Sequence, residues 1–338
     1  MNRRVIPAAL LALAFIVVIV ARPTDGTASA QDAPVTTISI ATLAPPGSTW
    51  MRVFDAWNRE VRRRSNRTLQ LRFYPGGVQG DEPEVIRKMR NGRIDAAAVT
   101  GVGLSQIHRP ALVFQIPGIF RTYAALDHAR DALNGEMTAA MAGAGFHLLG
   151  WADVGQSHIF SRTPIRTPQE LAASRPWMWR DDSVLPALYQ VIHANPVSAQ
   201  LPEVLSALQT NRINTVITTP VACIALQWCS RVTYMTDENA AIVLGATVLA
   251  NRKWDALSPE HQVIMTETAA QFHALARRNL RNDERAALTA ITSRGIQLVS
   301  LNEQQRAAWR TVFDQVRVRL TGQIADAALI RRVQDLAR

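Results

Sequence analysis

Between Thr36 and Thr100 the hydrophobic period of the chain switches back and forth between two and 3.6 residues. Thr36–Thr42 (TTISIAT) alternates as a strand does, and after the turn Leu43–Gly47 a helical pattern starts at Ser48, a helix-capping residue type, and runs to Arg64. Thr68–Tyr74 (TLQLRFY) alternates again, the loop PGGVQG opens a helix over Asp81–Asn91 that Gly92 closes, and Ile94–Thr100 (IDAAAVT) is a third strand. A βαβαβ order leaves few folds open. It predicts a parallel sheet with right-handed crossovers and helices on both faces.

A second unit of this kind follows. After an irregular stretch, Pro110–Arg121, come a helix over Ala124–Leu133 and a strand over His147–Trp151. Arg175–Pro220 then reads as strand, helix, short strand, helix and strand. Its first strand, Trp177–Arg180, places Trp177 and Trp179 on one face, because successive strand side chains point to opposite sides. Two neighbouring indoles form either a packed wall or a binding surface. The last strand, Ile213–Ile217, runs into Thr218, Thr219 and Pro220, and open α/β sheets bind ligands at the ends of parallel strands. Ala241–Ala250 reads as a buried strand crossing back. Pro259–Ile291, Glu303–Leu320 and Ile324–Ala337 are helical.

With 338 residues, 48% of them hydrophobic and 19% charged, the chain can build two cores. There is no repeat, low-complexity tract or flexible linker after Pro34. The expected division is 33–152 with 237–257 in one α/β lobe, 153–236 with 258–300 in the other, and 301–338 as helices packing across both. Lobes joined by several crossings imply a hinge and a cleft.

Met1–Ala30 stands apart. MNRR, the apolar run Val5–Ala21 and the Ala28-Ser29-Ala30 site describe a signal peptide cleaved before Gln31; the other reading is an uncleaved anchor. The whole chain carries a net charge of +10, and removing the leader's Arg3, Arg4, Arg22 and Asp25 leaves +8. The excess is arginine scattered along the chain, and no nucleic-acid motif accompanies it, so a nucleic-acid partner is not expected. Cys223 and Cys229 lie in a stretch, Val221–Ser230, that reads as helix. Six residues of helix rise about 9 Å, beyond disulfide reach, so two buried free thiols are expected unless that stretch is irregular.

Catalytic patterns are missing. The seven histidines show no metal-binding spacing, and there is no nucleophile elbow or P-loop. Gly101-Val102-Gly103-Leu104-Ser105-Gln106 resembles a dinucleotide fingerprint, but Gln106 replaces its third glycine and it follows the third strand rather than the first. The plainer reading is a strand-to-helix turn at the rim of a cleft, with backbone N–H groups towards a ligand. Asp81, Glu82 and Glu84 suit a helix start, and Asp181 and Asp182 suit a cap for a helix from Ser183. No acid–base pair follows from spacing. Neither a cofactor nor a metal is expected.

Four segments, PGGVQGDEPEVIRKMRNGRIDAAAVTGVGLS, VFQIPGIFRTYAALDHA, NPVSAQLPEVLSALQTNRINTVITTP and NRKWDALSPEHQ, resemble in order and spacing the DctP-type solute-binding proteins of tripartite ATP-independent periplasmic (TRAP) transporters. The resemblance covers nearly all of the chain after the leader. It implies a two-lobed, type II-like periplasmic binding fold with long C-terminal helices, no enzymatic activity, and delivery of a small solute to TRAP membrane subunits. It further implies a cleft lined by Ser48, Thr49, Trp50, Gln79, Glu82, Thr100, Gly101, Ser157, Trp177, Trp179, Thr218 and Thr219.

The departures from the pattern bear on the solute. Trp177 stands where many members carry a carboxylate-pairing arginine, Ser157 near a second one, and Thr219 at a usual asparagine. Neither Trp nor Ser offers the guanidinium fork that grips a carboxylate. The W-M-W strand resembles a subgroup associated with a tetratricopeptide-repeat partner and apolar ligands. The expected solute is therefore apolar or aromatic. Alternatives are an organic acid held by other arginines, a lipid carrier or sensor without a transporter, and an exported enzyme on the same scaffold.

Overall fold

The computed structural model describes residues 35–338. The expected signal peptide lies outside the described residues. No helix among the described residues is long and apolar enough to cross a membrane.

The opening alternation forms β1 (Thr36–Thr42), α1 (Thr49–Arg64), β2 (Leu69–Tyr74), α2 (Glu82–Arg90) and β3 (Ala96–Thr100). The short α3 (Gly101–Ser105) follows β3 directly, and a 3₁₀ turn, Arg109–Gln115, enters the irregular stretch before α4 (Tyr123–Gly143) and β4 (Phe146–Gln156). Then come β5 (His158–Ser161), α5 (Pro168–Ala172), β6 (Trp177–Trp179), α6 (Leu185–Val191), β7 (Val197–Ala199) and α7 (Val204–Gln209). They are followed by β8 (Thr215–Thr218), α8 (Pro220–Ala225), β9 (Tyr234–Thr236) and β10 (Ile242–Ala250). After α9 (Asn251–Asp255) the long α10 (Pro259–Ser293) leads to β11 (Gln297–Val299), α11 (Glu303–Leu320) and α12 (Ala327–Leu336).

Two sheets organise the molecule. One has the order β2-β1-β3-β10-β4, the other β11-β9-β5-β8, and β6 pairs with β7 beside β8 through a Pro176–Thr215 bridge. β2 and β3 flank β1 in parallel, as the crossovers require. β10 is antiparallel to both β3 and β4, so the sheet is mixed. β8 pairs antiparallel with β5 and meets a parallel neighbour only at the Pro176–Thr215 bridge, so Thr218 and Thr219 end a strand whose ladder is antiparallel rather than the parallel one expected. The reason is connectivity: β5 enters the second sheet directly from β4 and runs against β8.

Burial explains why the first sheet is covered on both faces. Ile38, Ile40 and Leu71 pack against Trp57 and Val61 of α1 and Met265 and Ala269 of α10, while Val85, Ile86 and Met89 of α2 cover the other side with Phe114. Each such buried side chain contributes roughly 1.5–3 kcal/mol relative to exposure. Trp57 also donates its indole N–H to Thr268 Oγ1 at 2.9 Å, fastening α1 to α10. α10, expected with the second lobe, lies along α1 and β4 and reaches α8. α11 packs on α5 and α6, and α12 on α4.

The two sheets are joined at Ser157, between β4 and β5, and again by the segment from β9 to β10. These crossings lie side by side. Ser157 N–H donates to Ala241 O at 2.8 Å, and Ala240 N–H donates to Ser157 O at 3.2 Å.

The helix expected over Val221–Ser230 stops at Ala225. Gln227 adopts a left-handed conformation (φ 62°), and the chain re-enters as a 3₁₀ turn over Trp228–Arg231. That reversal brings the Cα atoms of Cys223 and Cys229 to 5.2 Å, and the two form a disulfide. The expectation of free thiols is thereby corrected, and its stated exception, an irregular segment, is what occurs.

Candidate ligand-binding cleft

Two adjoining cavities lie between the sheets. The first encloses about 690 Å³, counting its open mouth, against the C-terminal ends of β1 and β3; Trp50, Glu82 and Thr100 line it with Phe54, Asp153 and Leu226. The second, of about 1030 Å³ on the same basis, is lined by Thr100, Gly101, Ser157, Trp177, Trp179, Thr218 and Thr219, together with Asp182, Trp228 and Leu201. Thr100, Val154, Leu201, Ala222 and Leu226 belong to both. Ser48, Thr49 and Gln79 line neither. Ser48 caps α1 by accepting from Met51 N–H, the Thr49 hydroxyl donates to Asp283, and the carbonyl of Gln79 accepts from Lys88 Nζ at 2.7 Å.

The cleft's polar groups are largely engaged by the protein itself. Glu82 is buried, and its carboxylate accepts from Thr100 N–H at 2.8 Å, Thr100 Oγ1–H at 2.9 Å and Gly103 N–H at 2.6 Å. Of the Gly101–Ser105 N–H groups expected to face a ligand, that of Gly103 thus meets Glu82 and that of Val102 meets Thr100 Oγ1 at 3.3 Å. Gly103 permits this approach, since a Cβ there would come within 2.6 Å of Val99 Cβ. Burial pushes the Glu82 carboxyl up to about 7, against the opposing pull of the Thr100 and Gly103 donors. Asp153, fully buried, is gripped by Arg130 at 2.7 Å and Arg281 at 2.6 Å. The Ser157 hydroxyl donates to Ala241 O at 2.9 Å, and Thr219 Oγ1 caps α8 by accepting from Ala222 N–H at 3.2 Å.

The aromatic wall is ordered by similar bonds. Trp177 and Trp179 stack with ring centroids 5.8 Å apart, and Trp228 meets Trp177 edge-on at 5.2 Å. Trp177 Nε1–H donates to Ala199 O at 3.1 Å, and Trp179 Nε1–H to Asp81 Oδ2 at 2.8 Å. Both indoles are buried in the core of the second lobe as well as lining the cavity, so the packing and binding readings describe different sides of the same rings. With those N–H groups occupied, they turn carbon surface towards the cavity.

No arginine, lysine or histidine lines either cavity among the described residues; the ionisable lining residues are Glu82, Asp153 and Asp182. Nor do the described residues contain a group of three His, Cys, Asp or Glu side chains placed to hold a metal. Trp228, Leu201, Leu226 and Asp182 are lining residues that the sequence pattern does not single out for this role.

Two α/β lobes sharing paired crossings around an interlobe cleft define the periplasmic solute-binding class of fold. The family model for bacterial extracellular solute-binding protein, family 7 (DctP), matches residues 40–321, and the chain belongs to this family of TRAP solute-binding proteins. A curated relative, the 2,3-diketo-L-gulonate-binding periplasmic protein of Escherichia coli, is 24% identical over 260 residues, covering 72% of this chain and 75% of its own. The C4-dicarboxylate-binding periplasmic protein DctP of Shewanella loihica is 23% identical over 226 residues, or 64% and 66% of the two chains. Among solved structures, a TRAP solute-binding protein from Shewanella oneidensis with bound succinate superposes with a TM-score of 0.84 at 17% identity, covering 90% of this chain and all of that one. One from Xanthobacter autotrophicus with bound β-D-galacturonate gives 0.79 at 17% identity, over 89% and 99%. At such identities the superpositions establish the fold alone.

Proposed function

We propose that this protein captures an apolar or aromatic solute, rather than a simple carboxylate, outside the inner membrane and hands it to the membrane subunits of a TRAP transporter. The observation that carries this reading is the cleft without a cation. A carboxylate buried there would lack a guanidinium or ammonium partner, and an unpaired buried charge is costly. Arg130 and Arg281, which reach the lining residue Asp153, are committed to it and to Asp127. The proposed site comprises Trp50, Thr100, Gly101, Ser157, Trp177, Trp179, Thr218 and Thr219. Its lobes, 33–152 with 237–257 and 153–236, close about the crossings at Ser157 and Ala241 while α10 stays packed on α1 and β4, and the closed form is what the transporter recognises. The W-M-W strand adds a tetratricopeptide-repeat protein as a proposed periplasmic partner.

A second reading has support of its own. Structurally similar proteins hold succinate and β-D-galacturonate, so an organic acid bound through hydrogen bonds and a rearranged arginine is the competing solute. Native mass spectrometry of the exported protein as purified, followed by denaturation and identification of the released compound, separates the two. An apolar or aromatic compound, lost on Trp177→Ala, is the expected result. A small carboxylate would overturn it.

A further inference from the structure

Asp182 differs from the other acids of the cleft. Glu82 is held by three donors and Asp153 by two arginines, but Asp182 uses one oxygen only. Its Oδ1 accepts from Val184 N–H at 2.6 Å and Leu185 N–H at 2.7 Å, capping α6. Its Oδ2 accepts no hydrogen bond and meets no cation among the described residues. The side chain lines the cavity that Trp177, Trp179 and Trp228 wall, and its backbone N–H donates to Trp179 O at 3.1 Å, which fixes it beside that strand.

A half-used carboxylate beside three indoles is complementary to a positive charge. The ring faces attract a cation through their quadrupoles, and the carboxylate supplies a charge-assisted acceptor. An anion there would meet the Asp182 charge with no cation in the lining to offset it. A neutral apolar group would leave Oδ2 desolvated and unpaired. Burial raises the Asp182 carboxyl above its usual range, against the pull of the Leu185 and Val184 N–H groups, so its charge is disfavoured until a cation meets it.

We propose that the solute carries a protonated amine on an aromatic or apolar body, with the ammonium donating to Asp182 Oδ2 and the body against Trp177, Trp179 and Trp228. This rests on the reading of the cleft as an apolar solute site, and it adds the charge of the solute.

The test is calorimetric titration of the mature protein with two matched series. Tryptamine, tryptophol and indole-3-propionate share an indole; phenethylamine, 2-phenylethanol and 3-phenylpropionate share a phenyl ring. The expected result is that the amine of each series binds about tenfold or more tighter than its alcohol and acid, and that Asp182→Asn abolishes the preference. Asparagine still offers an oxygen to Val184 and Leu185, so the cap survives, and an unchanged thermal midpoint confirms the fold. Amine and alcohol binding equally would overturn the assignment to Asp182 and leave the apolar cleft standing. Acids binding tightest would overturn both. Amines that fail to bind at millimolar concentration, or a preference that persists in Asp182→Asn, would also overturn the inference.

Discussion

The indole N–H of Trp179 and the carboxylate of Asp81 meet at 2.8 Å across the cleft, both buried and 98 residues apart in sequence. Asp81 caps α2 at the end of the first sheet, and Trp179 belongs to the β6–β7 pair beside the second. The same Oδ2 receives Leu201 N–H at 3.4 Å, so both of its donors come from the opposite lobe. Opening the cleft exchanges both bonds for water.

Trp179→Phe keeps an aromatic wall but removes the shorter of these bonds and leaves a buried carboxylate oxygen with one long contact. The expected cost to the closed form is about 1–3 kcal/mol. Small-angle scattering of the ligand-free protein would then show a larger radius of gyration than wild type. Identical scattering curves and urea midpoints would show that the bond does not hold the lobes.

The Cys223–Cys229 disulfide closes a small loop, and for a loop of this size chain entropy predicts about 2 kcal/mol of stabilisation. Its local effect should be larger than its global one, because Leu226 inside the loop and Trp228 on its far arm both line the cleft. Cys223→Ser with Cys229→Ser is expected to lower the urea midpoint modestly and to weaken solute binding. Reduction of wild type with dithiothreitol should reproduce both effects. A double variant with wild-type affinity would limit the bridge to a stability role.

Ser157 joins the crossings with its side chain as well as its backbone, since its hydroxyl donates to Ala241 O and accepts from Ala241 N–H at 3.2 Å. Ser157→Ala removes the hydroxyl while the backbone pair remains. A loss of about 1 kcal/mol follows, or roughly 1–2 °C in Tm for a chain of this size. Amide exchange at Ala241 should quicken while distant amides in β1 do not. Uniform acceleration would argue against a local tie.

What the sequence makes legible depends on whether the signal is local. α1 follows its pattern to the residue because Ser48 caps it and Met51, Trp57 and Val61 recur on one face. α4 runs past the expected Leu133 to Gly143, since Asn134-Gly135 looks like a stop but Met137 and Met141 are fully buried and hold the helix together. In the cleft, alternation alone puts Trp177 and Trp179 on one wall. Trp228 joins them only because Gln227 turns left-handed, which no local residue pattern announces. Ser48, Thr49 and Gln79 lie in the loops implied by the resemblance, but a loop's position does not fix where its side chains go.

Glu82 makes stability depend on pH. Its carboxyl sits at about 7 in the folded protein against 4.5 for the ordinary group, so the native state holds the proton more tightly than the unfolded chain. Stability from this group is therefore complete below about 4.5 and is lost as pH rises towards and through 7. The full swing is on the order of 3 kcal/mol. Buried His273, pushed down to about 4, acts in the opposite direction as pH falls below 6.5, so wild type alone does not isolate the effect. Glu82→Gln does, because it lacks the titrating proton and leaves His273 in place. Urea midpoints measured from pH 4.5 to 8 should show wild type losing stability relative to Glu82→Gln as pH rises. Parallel curves would mean that the Thr100 and Gly103 donors stabilise the carboxylate enough to cancel its burial.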